Sequence, residues 1–180
     1  MSTLSGLGRN WWVVVVYGVI AILFGLYALI APGASILALT WAFGVMALAE
    51  GVISVLALFD RSVDISRGWL VLYAIASIVF GLAAIAQPLA VAGAMLLLLA
   101  AWLIVGGIYR IVFAIRVRKL IENEWLLILS GALAVLLGVF FAAYPVAGLL
   151  AVVFWVGAGA LVYGVLQVAV GFRLRKLASA

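Results

Sequence analysis

The 180-residue sequence contains no cysteine and no histidine. Without cysteine there are no disulfides, no thiolate metal sites and no cysteine nucleophile. Without histidine the chain lacks the usual zinc and haem ligand, and the side chain that titrates nearest neutral pH. Charge is equally scarce, at 8% of residues against about a quarter in soluble domains. What remains is apolar: 71% of residues are hydrophobic and the mean hydropathy is +1.50. No soluble fold has interior enough for this much apolar surface, so most of it must face lipid. Composition therefore places the chain among integral membrane proteins, with the bilayer as its first partner. The net charge of +5 does not point to nucleic acid, because the basic residues flank apolar segments instead of striping a soluble face.

A bilayer core of roughly 30 Å needs about 20 apolar residues in a helix. Six stretches qualify: 11–31, 34–59, 69–87, 90–113, 125–144 and 147–172. They are too long and too uniformly apolar for barrel strands, so the predicted class is an all-α membrane domain of six spans. The first stretch exceeds the apolar core of a signal peptide and recurs twice downstream, so it reads as a retained span.

The three prolines reveal a repeat. LFGLYALIAP ends at Pro32, VFGLAAIAQP at Pro88 and LLGVFFAAYP at Pro145, at intervals of 56 and 57 residues. Ahead of them stand Gly18, Ala21 and Gly25; Ala74, Ser77 and Gly81; Gly131, Ala134 and Gly138. Behind them stand Gly44 and Gly51; Ala100 and Gly107; Gly157 and Gly164. Trp12, Trp69 and Trp125 open the three units, which run about 9–61, 66–118 and 122–176 within a single domain, 1–180. Fixed-period self-similarity marks a repeated supersecondary unit. Small residues at i, i+3 and i+7 share one helix face and let backbones approach in lipid, where no hydrophobic effect draws helices together. The reading is a tight hairpin at each proline, with a close-packed seam between its two helices, built three times. A small stripe also suits a pore lining, although packing is its commoner use. All three hairpins start on the same side, which predicts a parallel, pseudo-threefold relation.

The turns at 31–34, 87–89 and 144–146 carry no Lys or Arg, whereas nine basic residues collect on the other side. These are Arg9; Arg61 and Arg67; Arg116, Arg118 and Lys119; Arg173, Arg175 and Lys176. The positive-inside rule then puts both termini and the linkers 60–68 and 116–124 in the cytoplasm. RVRKL at 116–120 and RLRKL at 173–177 hold three basic residues each, short of the about four to eight of a usual anionic-lipid cluster.

Two ionisable residues fall inside spans, Glu50 and Arg110. Such residues are functional-site candidates by default. By repeat register they belong with Ser54, Tyr109, Tyr163 and Gln167 in one intramembrane polar cluster, and Glu50 is expected to contact Arg110 directly or through water. Glu50 would then be a proton-binding carboxylate, or the pair would be a salt bridge that fixes hairpin order. No nucleophile-plus-base set, paired carboxylates, metal-ligand cluster or phosphate loop is found. Gly6-Leu7-Gly8 is too short and precedes a span. The expectation is no catalysis and no cofactor or metal.

With these features in place, the chain resembles the HdeD family of bacterial acid-resistance membrane proteins along nearly its whole length. The resemblance is carried by Trp12, Gly18, Gly25 and Pro32; by Trp69, Gly81 and Pro88; and by Glu50-Gly51, Gly106-Gly107 and Gly164-Val-Leu-Gln167. Tyr163 and Gly157-Ala-Gly159 depart from the pattern of the other units. It implies a bacterial inner-membrane protein with a part in survival of acid stress, and brings no catalytic residues. The first expectation, given the residue inventory, is a non-enzymatic protein that supports acid or envelope stress tolerance. A small transporter or channel with Glu50 as proton or cation site is the alternative. Gly44, Gly157 and Gly171 leave room for a homo-oligomer or a membrane protein partner.

Overall fold

A computed structural model describes residues 11–59, 66–117 and 124–178. Arg9, Arg61, Arg118, Lys119, Gly6-Leu7-Gly8 and most of both charged linkers lie outside the described residues, as does the side chain of Lys176. The described residues form six helices: α1 Trp11–Ile30, α2 Pro32–Ala57, α3 Arg67–Ala86, α4 Pro88–Val117, α5 Glu124–Ala143 and α6 Pro145–Ala178. All six contain a stretch long and apolar enough to cross a membrane, and no more than 22% of any such stretch is buried. An exterior this apolar is stable only in lipid. The chain is a multi-pass membrane protein.

Each proline opens a helix, where its missing N–H costs little. A single residue separates it from the helix before, and that residue has the same role all three times. Ala31 N–H donates to Tyr27 O at 2.8 Å, and Ala31 O accepts from Ser35 N–H at 3.0 Å. Gln87 repeats this between Ala83 and Val91, and Tyr144 between Phe140 and Gly148. The break is therefore confined to one peptide unit. Gln87 adopts φ −137° and ψ 66°, outside the helical region that a following proline disfavours.

Two compact units divide the chain, Met1–Ser35 with Leu150–Ala180, and Ile36–Leu149. In the first, α1 lies antiparallel to α6. A side chain on Gly18 would meet Gly164 O at 2.8 Å, and one on Gly164 would meet Gly18 O at 2.6 Å. One turn-pair along, Gly25 faces Gly157 O at 2.7 Å. Trp11 closes this seam at its far end, 6.5 Å from the Phe172 ring and under the Arg175 guanidinium at 5.0 Å.

In the second unit the same contact occurs twice more. Gly131 and Gly107 face each other's carbonyls at 2.7 and 2.6 Å, joining α5 to α4, and Gly138 faces Ala100 O at 2.7 Å. Gly81 faces Gly44 O at 2.8 Å, joining α3 to α2. There Ala74 stands where the other seams have Gly18 and Gly131. A Cβ at Gly51 would accordingly lie 3.3 Å from Ala74 O, a looser approach than the 2.6 Å at Gly107 and Gly164.

A common rule governs these contacts. Each seam glycine faces a carbonyl of the partner helix and also receives the branched side chain four residues further on. Val168 covers Gly18, Ile22 covers Gly164, Ile78 covers Gly51, Leu48 covers Gly81, Ile111 covers Gly131 and Val135 covers Gly107. Residues i and i+4 stack on one helix face, so a carbonyl at one level brings its branched neighbour over the same glycine. The notch left by the missing side chain is filled from the partner, which supplies the dispersion contacts that hold helices together in lipid.

This arrangement corrects the expected hairpin seam. The small stripes do not join the two helices on either side of a proline. They join α3 to α2, α5 to α4 and α1 to α6, pairing each odd helix with an even helix of another repeat. α4 and α5 meet along their length, whereas α3 and α4, joined at Pro88, meet only over a short stretch. Stripe position and period stand as expected; the partner helix differs. With one residue between helices, the turn leaves little room for the two glycine faces to meet.

Gly131→Leu is expected to destabilise the fold by at least about 3 kcal/mol in detergent unfolding, and Gly131→Ala by about 1–3 kcal/mol, because the obstacle is backbone. Gly106→Leu, with open space around it, should stay within about 0.5 kcal/mol of the parent. Equal effects at Gly131 and Gly106 would contradict the seam.

Candidate functional site

Beside the α2·α3 seam runs an open groove of about 420 Å³. Its α2 wall is Phe43, Met46, Ala47 and Glu50, and its α3 wall is Tyr73, Ala76, Ser77 and Phe80. Both sets follow the i, i+3, i+4, i+7 spacing of a single helix face. Each lies one residue before a seam stripe, at Gly44, Leu48 and Gly51 on α2 and at Ala74, Ile78 and Gly81 on α3. Two helices drawn together by their backbones leave a furrow along the flank, and these are the flanking positions. The antiparallel register sets Phe43 level with Phe80, and Glu50 level with Tyr73. Met95 on α4 also lines the groove.

Glu50 is the one charged residue among those lining residues. Tyr73 donates its phenolic O–H to the Glu50 carboxylate at 2.7 Å. The carboxylate lies seven residues before the end of α2, about 10 Å along the axis. Glu50 also organises its own helix, its backbone carbonyl accepting from Ser54 Oγ at 2.8 Å. Ser35 and Thr40 make the same bond to the carbonyl four residues back. Buried hydroxyls are thereby satisfied without an interhelical partner.

The six residues of the expected polar cluster fall into separate places. Glu50 and Ser54 are joined as described. Tyr163 and Gln167 form a hydrogen-bonded pair one turn apart on α6, the Gln167 amide donating to the Tyr163 hydroxyl. Tyr109 stacks on Phe113 along the outside of α4, ring centroids 6.1 Å apart. Arg110 is exposed. The expected Glu50–Arg110 contact is replaced: the Glu50 carboxylate is bonded by Tyr73, and among the described residues no ion pair joins it to Arg110. The reason is the pairing of helices, since α2 packs on α3 while α4 packs on α5. Tyr73 is the residue that the sequence reading missed. Its signal was the Gly51–Ala74 register, which sets the preceding residues, Glu50 and Tyr73, side by side.

The repeats make this site single. At the positions of Glu50 and Tyr73, the α4·α5 pair has Gly106 and Ser130, and the α6·α1 pair has Tyr163 and Tyr17. The scaffold occurs three times and the carboxylate once. By contrast, each unit opens on a tryptophan, Trp69 one residue out of register with Trp12 and Trp125, and the three are exposed at 60, 56 and 57%.

Comparison with known proteins finds one family, described as a short repeat of unknown function (DUF308), matched three times at residues 16–82, 72–143 and 129–180. No curated protein and no solved structure matches. The first match contains Gly44, Gly51, Ala74 and Gly81 of the α2·α3 seam and the second all of the α4·α5 contacts, so the family's repeat encloses most or all of a seam as well as the proline turn. These matches together take in residues 16–180, and the chain belongs to the DUF308 repeat family.

Proposed function

We propose that the chain is a non-enzymatic protein of the bacterial inner membrane, both termini in the cytoplasm, that supports tolerance of acid or envelope stress. The observation that carries this reading is the set of three matched seams. Nearly all of the sequence's specific residues go into packing helices in lipid. The DUF308 match is consistent with the HdeD resemblance, which supplies the stress context. Nine basic residues on one side of the spans and none in the proline turns support the orientation. The role would rest on a rigid intramembrane scaffold that acts on the bilayer or on a membrane protein partner.

A second reading, a small transporter or channel, draws on the bond between Glu50 and Tyr73 beside the groove. Against it, all three hairpins start on the same side, and inverted repeats are the commoner device for alternating access.

The absence of cysteine makes orientation directly testable. Gly33→Cys and Gly68→Cys introduce thiols at exposed, open positions at opposite ends of the spans. In intact spheroplasts, a membrane-impermeant maleimide should label the first and spare the second; the reverse would invert the topology.

In a deletion strain held at low external pH, wild type and Glu50→Gln should restore survival equally, and Gly131→Leu should fail. Rescue by wild type but not by Glu50→Gln would favour the transport reading. Failure of wild type would remove the stress role.

A further inference from the structure

Beyond the stress role, the α2–α3–α4 groove has the features of a ligand site. We infer that it binds a lipophilic organic cation, with the cationic centre against Glu50 and an apolar body along Phe43, Phe80, Met46 and Met95.

Four observations converge. The volume of about 420 Å³ falls in the range of small-molecule sites, about 300–1,000 Å³. The lining is mostly aromatic, thioether and alanine, with Glu50, Tyr73 and Ser77 as its polar groups, the combination of apolar wall and few orienting polar groups that such sites use. The carboxylate is open to the groove, where Tyr73 supplies one hydrogen bond and no lining residue supplies a positive charge. A carboxylate at that depth is costly in hydrocarbon, so a counter-charge delivered with its own apolar covering is strongly favoured. Finally, two equivalent positions elsewhere in the chain are Gly106 and Tyr163, so packing of the repeat does not require an acid here.

Charge complementarity excludes an anionic or carboxylic ligand. It also argues against a lipid headgroup, because a headgroup ammonium comes with a phosphate. Drawing that phosphate about 10 Å in from the end of α2 would add a second desolvated charge. A free cation with its charge embedded in an apolar body has no such cost. Aromatic faces at Phe43, Phe80 and Tyr73 also attract a cation.

The test uses the full chain purified in dodecyl maltoside, a neutral detergent, and two probes of nearly the same shape with opposite charge. Tetraphenylphosphonium should bind saturably, and tetraphenylborate should bind at least about tenfold more weakly. Glu50→Gln keeps the side-chain shape and should lower phosphonium affinity by about tenfold or more. The comparison of the two probes on wild-type protein needs no variant to fold. Equal affinity for both ions would overturn the proposal, as would unchanged phosphonium binding by a folded Glu50→Gln chain. Displacement of the phosphonium by phosphatidylethanolamine in mixed micelles would overturn the free-cation assignment in favour of a headgroup. Because binding is read on isolated protein, its outcome is separate from survival at low pH.

Discussion

Contact between helix backbones at glycine is the constraint on which the rest of this structure depends. In water, helices associate because their apolar faces leave solvent. In a bilayer that gain is absent, and what remains is close packing. At Gly107 and Gly131 a single added carbon would sit 2.6–2.7 Å from a carbonyl oxygen of the facing helix. Such a contact has no flexible member, so the seam fixes depth and register together. The groove follows from it, since the flanks of two helices held this closely must open into a furrow. The placement of Glu50 beside Tyr73 follows as well, because both stand next to seam residues.

Much of this was legible in the sequence, for a physical reason. Spans announce themselves through length and apolarity, and all six begin within two residues of their hydropathic limits, although α4 and α6 run four and six residues past theirs into the charged ends. The prolines and their upstream glycines mark equivalent positions, which the structure repeats down to the hydrogen bonds of Ala31, Gln87 and Tyr144. The partner of each stripe was not legible. A heptad of small residues shows that a face packs closely and is silent about which helix it meets. Chain proximity favoured the helix across the proline, whereas the contact is made by α2 with α3, α4 with α5 and α1 with α6. Once that choice is wrong, polar residues are assigned to wrong neighbours. Arg110 was matched to Glu50 by depth alone, and Tyr73, one residue from the stripe at Ala74, was passed over.

Repetition also separates scaffold from specialisation. Positions alike in all three units, such as the prolines that open the even helices, serve folding and placement in the bilayer. Positions that differ while the backbone stays equivalent are free of that duty. Glu50 stands where another unit has Gly106, and the same architecture is built around both. An acid that packing does not need, at the edge of an apolar furrow, is where chemistry particular to this chain is to be sought.

The central claim is that the small-residue seams join helices of different repeats, and disulfide trapping tests it most directly in a chain with no native cysteine. A Cβ at Gly44 would lie 2.9 Å from that of Ala84, and one at Gly157 would lie 3.0 Å from that of Ala28. Oxidation in native membranes should therefore cross-link Gly44→Cys with Ala84→Cys, and Gly157→Cys with Ala28→Cys, as read by mass spectrometry of the joined peptides. Ser77→Cys with Leu99→Cys, placed symmetrically about Pro88, should stay reduced. Trapping of the Ser77–Leu99 pair, with neither seam pair trapped, would show that the stripes close the hairpins and would contradict the account.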